Sequence, residues 1–153
     1  MNPAAAQQQY LKAKVFTATP EQLQLMLYDG AIRFAEKGRL ALEKSNFEES
    51  YTSLSRAQKI IVELSGSLRH SIAPELCGKL ASLYNYVYRK LVQGSAERNV
   101  AAVDEGLVIL RHQRETWMML LDQLGKTKAA AAANQLDIPS PDSRMEMSIS
   151  MQG

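Results

Sequence analysis

The side chains that most often catalyse reactions or bind metals are scarce in this sequence. It has two histidines, His70 and His112, and one cysteine, Cys77. A di-metal carboxylate enzyme built on a helical bundle would need a glutamate three residues before a histidine, so that both side chains share one helix face. Ser67 precedes His70 at that spacing and Ile109 precedes His112, so the ligand pattern fails at both histidines.

Other signatures of catalysis or cofactor binding are also missing from the sequence. One cysteine cannot supply the paired spacing of a zinc site, and the chain has neither a glycine-rich phosphate loop nor a G-x-S-x-G nucleophile elbow. We predict that the protein is not an enzyme and needs no metal or cofactor. The histidines are expected to be solvated or at helix ends, and Cys77 to be a small core side chain. A ligand- or metal-binding bundle enzyme is the less favoured alternative.

Composition indicates one cytoplasmic domain. The 18 lysines and arginines are interspersed with 16 acidic residues, for a formal net charge of +2, which predicts solvated helix faces and no nucleic-acid partner. A lone cysteine fits a reducing compartment. The N-terminus lacks the charged and apolar regions of a signal peptide, and no apolar stretch approaches the ~20 residues of a bilayer span. We therefore expect a cytoplasmic location without stable membrane association.

Tyrosines are concentrated between Leu83 and Leu91. Tyr84, Tyr86 and Tyr88 lie within five residues, so on a helix their side chains fan over roughly 200° and cannot all enter one core. Either two of them flank the core while Tyr86 is exposed, or they edge a groove for an amphipathic partner helix. Arg114 leaves a similar choice: it either extends out from a core edge or pairs with a buried carboxylate or a partner.

The first helix that must position these residues begins at Thr19. A threonine N-cap, Pro20 at N1 and Gln22 at N3 make a capping box, and the helix is predicted to run to about Lys44. It carries two apolar stripes, whereas a surface helix needs one, so it is either central or keeps a second face for a partner. The first stripe holds Leu23, Met26, Leu27, Gly30, Ala31 and Phe34, and the second holds Leu25, Tyr28, Ile32 and Ala35.

Three further helices are predicted to begin at Asn46, Pro74 and Asn99, with apolar residues in steps of three and four. Their seams are Phe47, Tyr51, Leu54, Ala57, Ile61, Leu64 and Leu68; then Leu76, Leu80, Leu83, Val87 and Leu91; then Val103, Leu107, Leu110, Arg114, Trp117, Leu121 and Leu124. Gly125 is the expected C-cap of the last helix.

These elements predict an all-α fold, an antiparallel four-helix bundle over residues 19–125. Residues 1–18 form a short N-terminal cap segment, and residues 126–153 a disordered, flexible tail. Leu27, Ile61, Leu83 and Trp117 are expected in the bundle interior, whereas Tyr28, Ile32, Tyr86 and Arg89 are expected on the free faces.

Read in order, the segments resemble the flagellar export chaperone family FliS. The resemblance starts at Tyr10, Val15, Thr17-Ala18 and Pro20, continues through Leu23–Gly30 and Ala57–Leu64, and ends with Leu83–Val92 and Arg114–Trp117. Four motifs in this order over residues 2–124 are a specific signal, although each is weak alone. Gln113, where the family usually has an apolar residue, and Gly94-Ser95, in place of Ala-Asn, depart from the pattern.

The resemblance implies a cytoplasmic chaperone that binds the disordered C-terminal segment of flagellin, prevents premature polymerisation and delivers flagellin to the type III export apparatus. Flagellar export gate components are further implied partners, and residues 1–18 would cover part of the groove until the ligand displaces them. A helical homo-oligomeric adaptor, including a weak homodimer, stays an alternative. The partner-binding residues expected on this basis are Tyr10, Val15, Leu25, Tyr28, Ile32, Ile60, Tyr84, Tyr86, Tyr88, Arg89, Val92 and Arg114.

Overall fold

The computed structural model describes residues 3–69, 71 and 73–137, and the described part is all-α, as predicted. Its five helices are α1 (Pro3–Thr17), α2 (Pro20–Glu43), α3 (Phe47–Gly66), α4 (Pro74–Ala96) and α5 (Val100–Asp137). None of the helices in this described part is long and apolar enough to cross a membrane. His70 and the segment 138–153, for which a solvated histidine and a flexible tail are predicted, lie outside the described residues.

Local sequence signals set the helix starts where they were expected. The Gln22 amide donates to Thr19 Oγ1 at 3.2 Å and the Thr19 amide donates to Gln22 Oε1 at 3.0 Å, which completes the predicted capping box. Asn46 accepts from the Glu49 amide at 3.3 Å at the start of α3. α4 begins at Pro74, where the missing N–H of proline loses no helical bond. The confirmed starts therefore follow from bonds within a few residues.

Side-chain pairs show that α2 and α5 run antiparallel. Three ion pairs join the two helices: Arg39 with Asp104, Glu36 with Arg111, and Asp29 with Arg114. The residue numbers fall along α2 as they rise along α5. The Trp117 indole N–H continues this order by donating to the Glu21 carbonyl oxygen at 2.9 Å. These contacts bind α5 to α2 along most of the length of α2, up to Trp117.

Two tight links close the same end of the bundle. Ser45, between α2 and α3, and Arg98, between α4 and α5, both adopt left-handed backbone conformations with φ of 57° and 53°. The Arg98 guanidinium carbon lies 3.7 Å from the centroid of the Phe47 ring at the start of α3. This cation–π contact joins the α4–α5 link to α3.

Small residues decide which face of α2 enters the core. The buried residues of α2 are Tyr28, Gly30, Ala31, Ala35, Gly38, Ala41 and Leu42. At Gly38 the helices approach so closely that an added Cβ would lie 2.6 Å from Leu54 Cγ and 3.4 Å from the Leu54 amide nitrogen. The expectation that Tyr28 lies on a free face is therefore wrong. The buried face takes residues from both predicted stripes, because close approach selects the small side chains. Leu27 is half-buried at the core edge.

On α4 the predicted core stripe is rotated from the observed one. The buried side chains of α4 include Cys77, Tyr84, Val87 and Leu91, whereas Leu76 and Leu83 are exposed. Both sets are spaced by threes and fours, so periodicity alone does not separate them. The Leu83 prediction is wrong because Tyr84, whose hydroxyl finds a partner inside, takes the interior position. Ile61 and Cys77 are buried as predicted, and Trp117 is half-buried against the core.

Helix α5 continues past the predicted end at Gly125. It reaches Asp137, so residues 126–137 are helical rather than part of a disordered tail. Gly125 keeps a helical backbone without a positive φ, so it does not act as a C-cap. The chain divides into two compact units, Met1–Trp117 and Met118–Gly153. In the second unit Lys126 and Asp122 pair at 3.2 Å, one turn apart on α5.

The predicted cap segment is also helical. α1 covers Pro3–Thr17 and has no buried residue, although Tyr10, Val15 and Phe16 are apolar or aromatic. Its apolar residues do not form a single stripe, which is why helical periodicity did not reveal this element.

Candidate partner-binding groove

An open depression of the bundle follows the seam between α3 and α4. We call it the α3–α4 groove. It consists of two adjoining cavities of about 460 and 230 Å³ that share Val62 and Tyr88. Its lining residues are Tyr51, Thr52, Ser55, Arg56, Gln58, Lys59, Ile61, Val62 and Ser65 from α3, and Tyr84, Asn85 and Tyr88 from α4. From Tyr51 to Ser65 the groove extends about 21 Å at the helical rise per residue.

The groove exposes large apolar side chains that the bundle core does not use. Tyr51 is 66% exposed, Val62 57% and Tyr88 36%, and they lie above the buried Ile61 and Tyr84. Exposed apolar side chains beside polar ones are a reason to examine a surface as a possible partner site. The groove is therefore the candidate partner-binding surface.

The α3–α4 seam lacks the ion pairs that bridge other seams of the bundle. α2 and α5 are joined by Arg39–Asp104, Arg111–Glu36 and Arg114–Asp29, and α4 and α5 by Lys90–Glu105 at 2.7 Å. Between Phe47–Gly66 and Pro74–Ala96, both of which the structure describes throughout, no ion pair crosses from α3 to α4. This seam is free to accept charged groups from a partner.

Beneath the groove, Tyr28 and Tyr84 form a buried pair across the bundle. Their hydroxyl oxygens are 2.5 Å apart and their ring centroids 6.4 Å apart. Burial raises the pKa of both hydroxyls, because a phenolate would lose its hydration, and at Tyr84 the hydrogen bond with Tyr28 adds to the rise. Each tyrosine is at most 3% exposed, so the expected free-face position of Tyr28 is wrong. Tyr84 lines the floor of the groove, and Tyr28 lies in the core beneath it. Their contact with a partner stays a prediction.

The other expected site residues of α4 and α5 lie around the bundle rather than in one place. Tyr88 lines the groove, and Val92, one turn further along α4, is 38% exposed. Tyr86 instead faces α5, where its hydroxyl donates to Glu105 Oε2 at 3.5 Å. Arg89 is exposed, and Arg114 is half-buried and paired with Asp29. Of these five, only Tyr88 lines the α3–α4 groove.

The expected site residues of α1, α2 and α3 are similarly dispersed. Tyr10 and Val15 are exposed on α1. Ile32 and Ile60 are half-buried against the core, and Leu25 is half-buried on α2. Their part in partner binding stays a prediction.

Sequence reasoning missed most of the groove. Tyr51 was placed on the core seam of α3, and Val62, Arg56 and Lys59 received no role. Ser50 and Ser53 are buried, whereas Tyr51 between them is 66% exposed. Apolar periodicity alone does not reveal that two small polar residues take the inward positions here.

One polar side chain of α5, Gln113, is buried at a position outside the predicted apolar seam. Gln113 is 7% exposed, and neither its amide nitrogen nor its amide oxygen has a hydrogen-bond partner in the described structure. Residues 113 and 110 face inward, so Gln113 takes the core position that Arg114 was expected to hold. An unpaired buried amide costs about 1–3 kcal/mol of stability.

We therefore expect Gln113→Leu to raise the free energy of unfolding by about 1–2 kcal/mol, because it removes the unpaired amide while nearly conserving volume. Urea melts followed by circular dichroism measure this change. Gln123→Leu is the matched control: it makes the same replacement at an exposed position of α5 and should shift stability by less than about 0.5 kcal/mol. A loss of stability in Gln113→Leu would show that the amide is paired in solution.

The described residues do not assemble a cluster that could hold a metal ion. Among residues 3–69, 71 and 73–137, no three histidine, cysteine or acidic side chains converge as a metal site would require. His112 is exposed and Cys77 is buried, as expected of residues without a chemical role.

Comparison with known proteins connects this architecture to one family. The family model described as "Flagellar protein FliS" matches residues 2–124. The chain is 33% identical over 127 residues to the flagellar secretion chaperone FliS of Bacillus subtilis, a match that covers 83% of this chain and 92% of that protein. It is 32% identical over 108 residues to the flagellar secretion chaperone FliS of Escherichia coli, covering 70% and 79%.

A solved structure shares the fold. A crystal structure of a flagellar chaperone from bacteria superposes with a TM-score of 0.64 at 20% identity, covering 80% of this chain and 99% of that one. At this identity the similarity supports the fold, while the family model and the sequence relatives establish the family. The chain therefore belongs to the FliS family, which is a family of chaperones and not of enzymes.

Proposed function

We propose that this protein is a cytoplasmic export chaperone that holds the C-terminal segment of flagellin in the α3–α4 groove. While held there, the segment cannot assemble prematurely, and the complex delivers flagellin to the flagellar export apparatus. The observation that carries the proposal is an open groove edged by Tyr51, Val62 and Tyr88 in a member of the FliS family. The relatives' names as flagellar secretion chaperones support the export role.

The dimensions of the groove suit one short amphipathic segment. Its length of about 21 Å corresponds to about 14 residues of helix, or about six residues of extended chain. Helix-in-groove recognition uses apolar anchors at helical spacing, which the exposed Val62 and the two rim tyrosines can accept. Ordering a flexible segment costs several kcal/mol, so a complex of this kind protects its ligand and still releases it.

Helix α1 belongs to the proposal as a second, adjustable apolar surface. Its side chains Tyr10, Val15 and Phe16 are exposed, Phe16 to 89%, so α1 has no partner that buries them in this state. We propose that in a second arrangement, without ligand, α1 packs these side chains over part of the flagellin-binding surface and then yields to the ligand. A tethered segment of this kind competes at high effective concentration.

Titration of the full chain with a peptide of the flagellin C-terminus tests the function. We expect binding at about one to one, without nucleotide or metal, and a markedly negative heat-capacity change by calorimetry, because apolar surface is buried on both partners. Sedimentation with and without the peptide separates this outcome from self-association. No binding to the cognate flagellin at tens of micromolar, with a homodimer present in its place, would reject the chaperone in favour of the homo-oligomer.

A further inference from the structure

We propose that the segment bound in the α3–α4 groove is acidic as well as amphipathic, with its carboxylates facing Arg56 and Lys59 and its apolar anchors facing Val62. This inference rests on the proposed function and specifies the chemistry of its ligand. Opposite charges would then fix the direction in which the segment lies in the groove.

The groove is lined by cations and by no acid. Arg56 and Lys59 are lining residues, whereas the acidic residues of α3, Glu48, Glu49 and Glu63, are not. Glu49 is engaged with Lys37 on α2 at 3.1 Å. A partner carboxylate that entered the groove would therefore meet positive charge without competition from a lining acid.

The two cations differ from those along the α5 seams, which are already neutralised. Arg39, Arg111, Arg114 and Lys90 each pair with a carboxylate across a helix interface. Arg56 and Lys59 have no ion-pair partner among the described residues, and both are exposed. The Arg56 guanidinium stacks on the Phe34 ring at 5.5 Å, which holds the group in place while leaving its N–H donors free.

Charge and hydropathy vary along the groove, and this variation gives it a direction. Arg56 and Lys59 line only the larger cavity, whereas the smaller one has no charged lining residue. The smaller cavity is lined by Ile61, Ser65, Tyr84 and Asn85, together with Val62 and Tyr88, which both cavities share. From Arg56 to Val62 the distance along α3 is about 9 Å. A helical ligand would thus carry its carboxylates about six residues from its main apolar anchor.

Exposed charge pairs contribute little affinity individually, about 0–1 kcal/mol each. Their larger effects are on association rate, on salt dependence and on the register of the ligand. The apolar part of the groove would then supply most of the affinity, and the cationic part would select the segment and its orientation.

The experiment measures binding of the flagellin C-terminal peptide at low and high salt by three proteins: the wild type, Arg56→Glu/Lys59→Glu and Lys79→Glu/Lys128→Glu. The last is the matched control, because Lys79 and Lys128 are exposed, lie outside the groove lining and give the same change in net charge. At low salt the groove variant should bind about tenfold more weakly than the wild type and the control less than about twofold. High salt should reduce the difference in affinity between the wild type and the groove variant.

The outcomes separate this inference from the proposed function. If the wild type binds and both charge variants bind like it, or lose affinity equally, the cationic groove has no selective role and the inference is overturned. If the wild type does not bind the peptide at all, the proposed function fails and the inference fails with it. Circular dichroism melts of all three proteins confirm that affinity is compared between folded chains.

Discussion

Replacing Tyr84 with alanine is expected to lower the free energy of unfolding by about 3–5 kcal/mol, the range for truncating a large buried aromatic side chain. Tyr84 is 1% exposed and packs in the core of the bundle beside Tyr28. The substitution removes the ring from a packed site and also leaves the Tyr28 hydroxyl without its 2.5 Å partner. Both losses act in the same direction. Chemical denaturation of the full chain at neutral pH measures the effect.

Two control substitutions are needed. One separates the contribution of the Tyr84 ring from that of its hydroxyl, and the other tests whether truncating any tyrosine has the same effect. Tyr84→Phe keeps the ring and should cost about 1 kcal/mol, the typical contribution of one hydrogen bond. Tyr51→Ala makes the same truncation at a position that is 66% exposed, and it should stay within about 0.5 kcal/mol of the wild type. Equal losses in Tyr84→Ala and Tyr51→Ala would contradict the observed placing of these tyrosines.

Helix starts were predictable from the sequence because they depend on nearby residues. The Thr19–Gln22 capping box, the Asn46 cap and Pro74 each act within one helical turn, and the structure confirms all three. The all-α class followed from the same signals. The end of α5 was not predictable in this way: a glycine in open space, such as Gly125, only weakens a helix and does not require it to stop.

The rotation of each helix about its axis depends on the neighbouring helices, and here the sequence interpretation failed. On α4, the sets containing Leu83 and Tyr84 have equivalent periodicity, and the hydroxyl partner on Tyr28 favours the second. On α2, Gly38 and the alanines gain from close contact with Leu54, which a count of apolar residues does not measure. The expected positions of Tyr28 and Leu83 were wrong for these reasons, whereas that of Tyr84 was left open between core and groove.

The candidate site followed only in part from the sequence. The excess of tyrosines on α4 pointed to Tyr88, which lines the groove, and its part in partner binding stays a prediction. Tyr51 and Val62 were missed because their exposure depends on the rotation of α3, which places Ser50 and Ser53 inside and Tyr51 outside. A groove is a property of two helices together, so the pattern of either helix alone did not define it.

The central claim is that the exposed apolar side chains of the α3–α4 groove, and not exposed apolar residues in general, bind flagellin. Val62 and Val108 make a matched pair for testing it. Both are helical valines of similar exposure, 57% and 62%, but Val62 lines the groove and Val108, on α5, does not. Aspartate at either position places a charge on the surface. The two substitutions should therefore change the free energy of unfolding by similar amounts.

The most direct measurement is calorimetric titration of Val62→Asp and Val108→Asp with the flagellin C-terminal peptide. We expect Val62→Asp to lose about 2 kcal/mol or more of binding free energy, as for an anchor residue that becomes desolvated in the complex. Val108→Asp should bind within about 0.5 kcal/mol of the wild type, as is usual for a surface position without a contact. Equal binding by the two variants, or a larger loss in Val108→Asp, would contradict the assignment of the flagellin site to the α3–α4 groove.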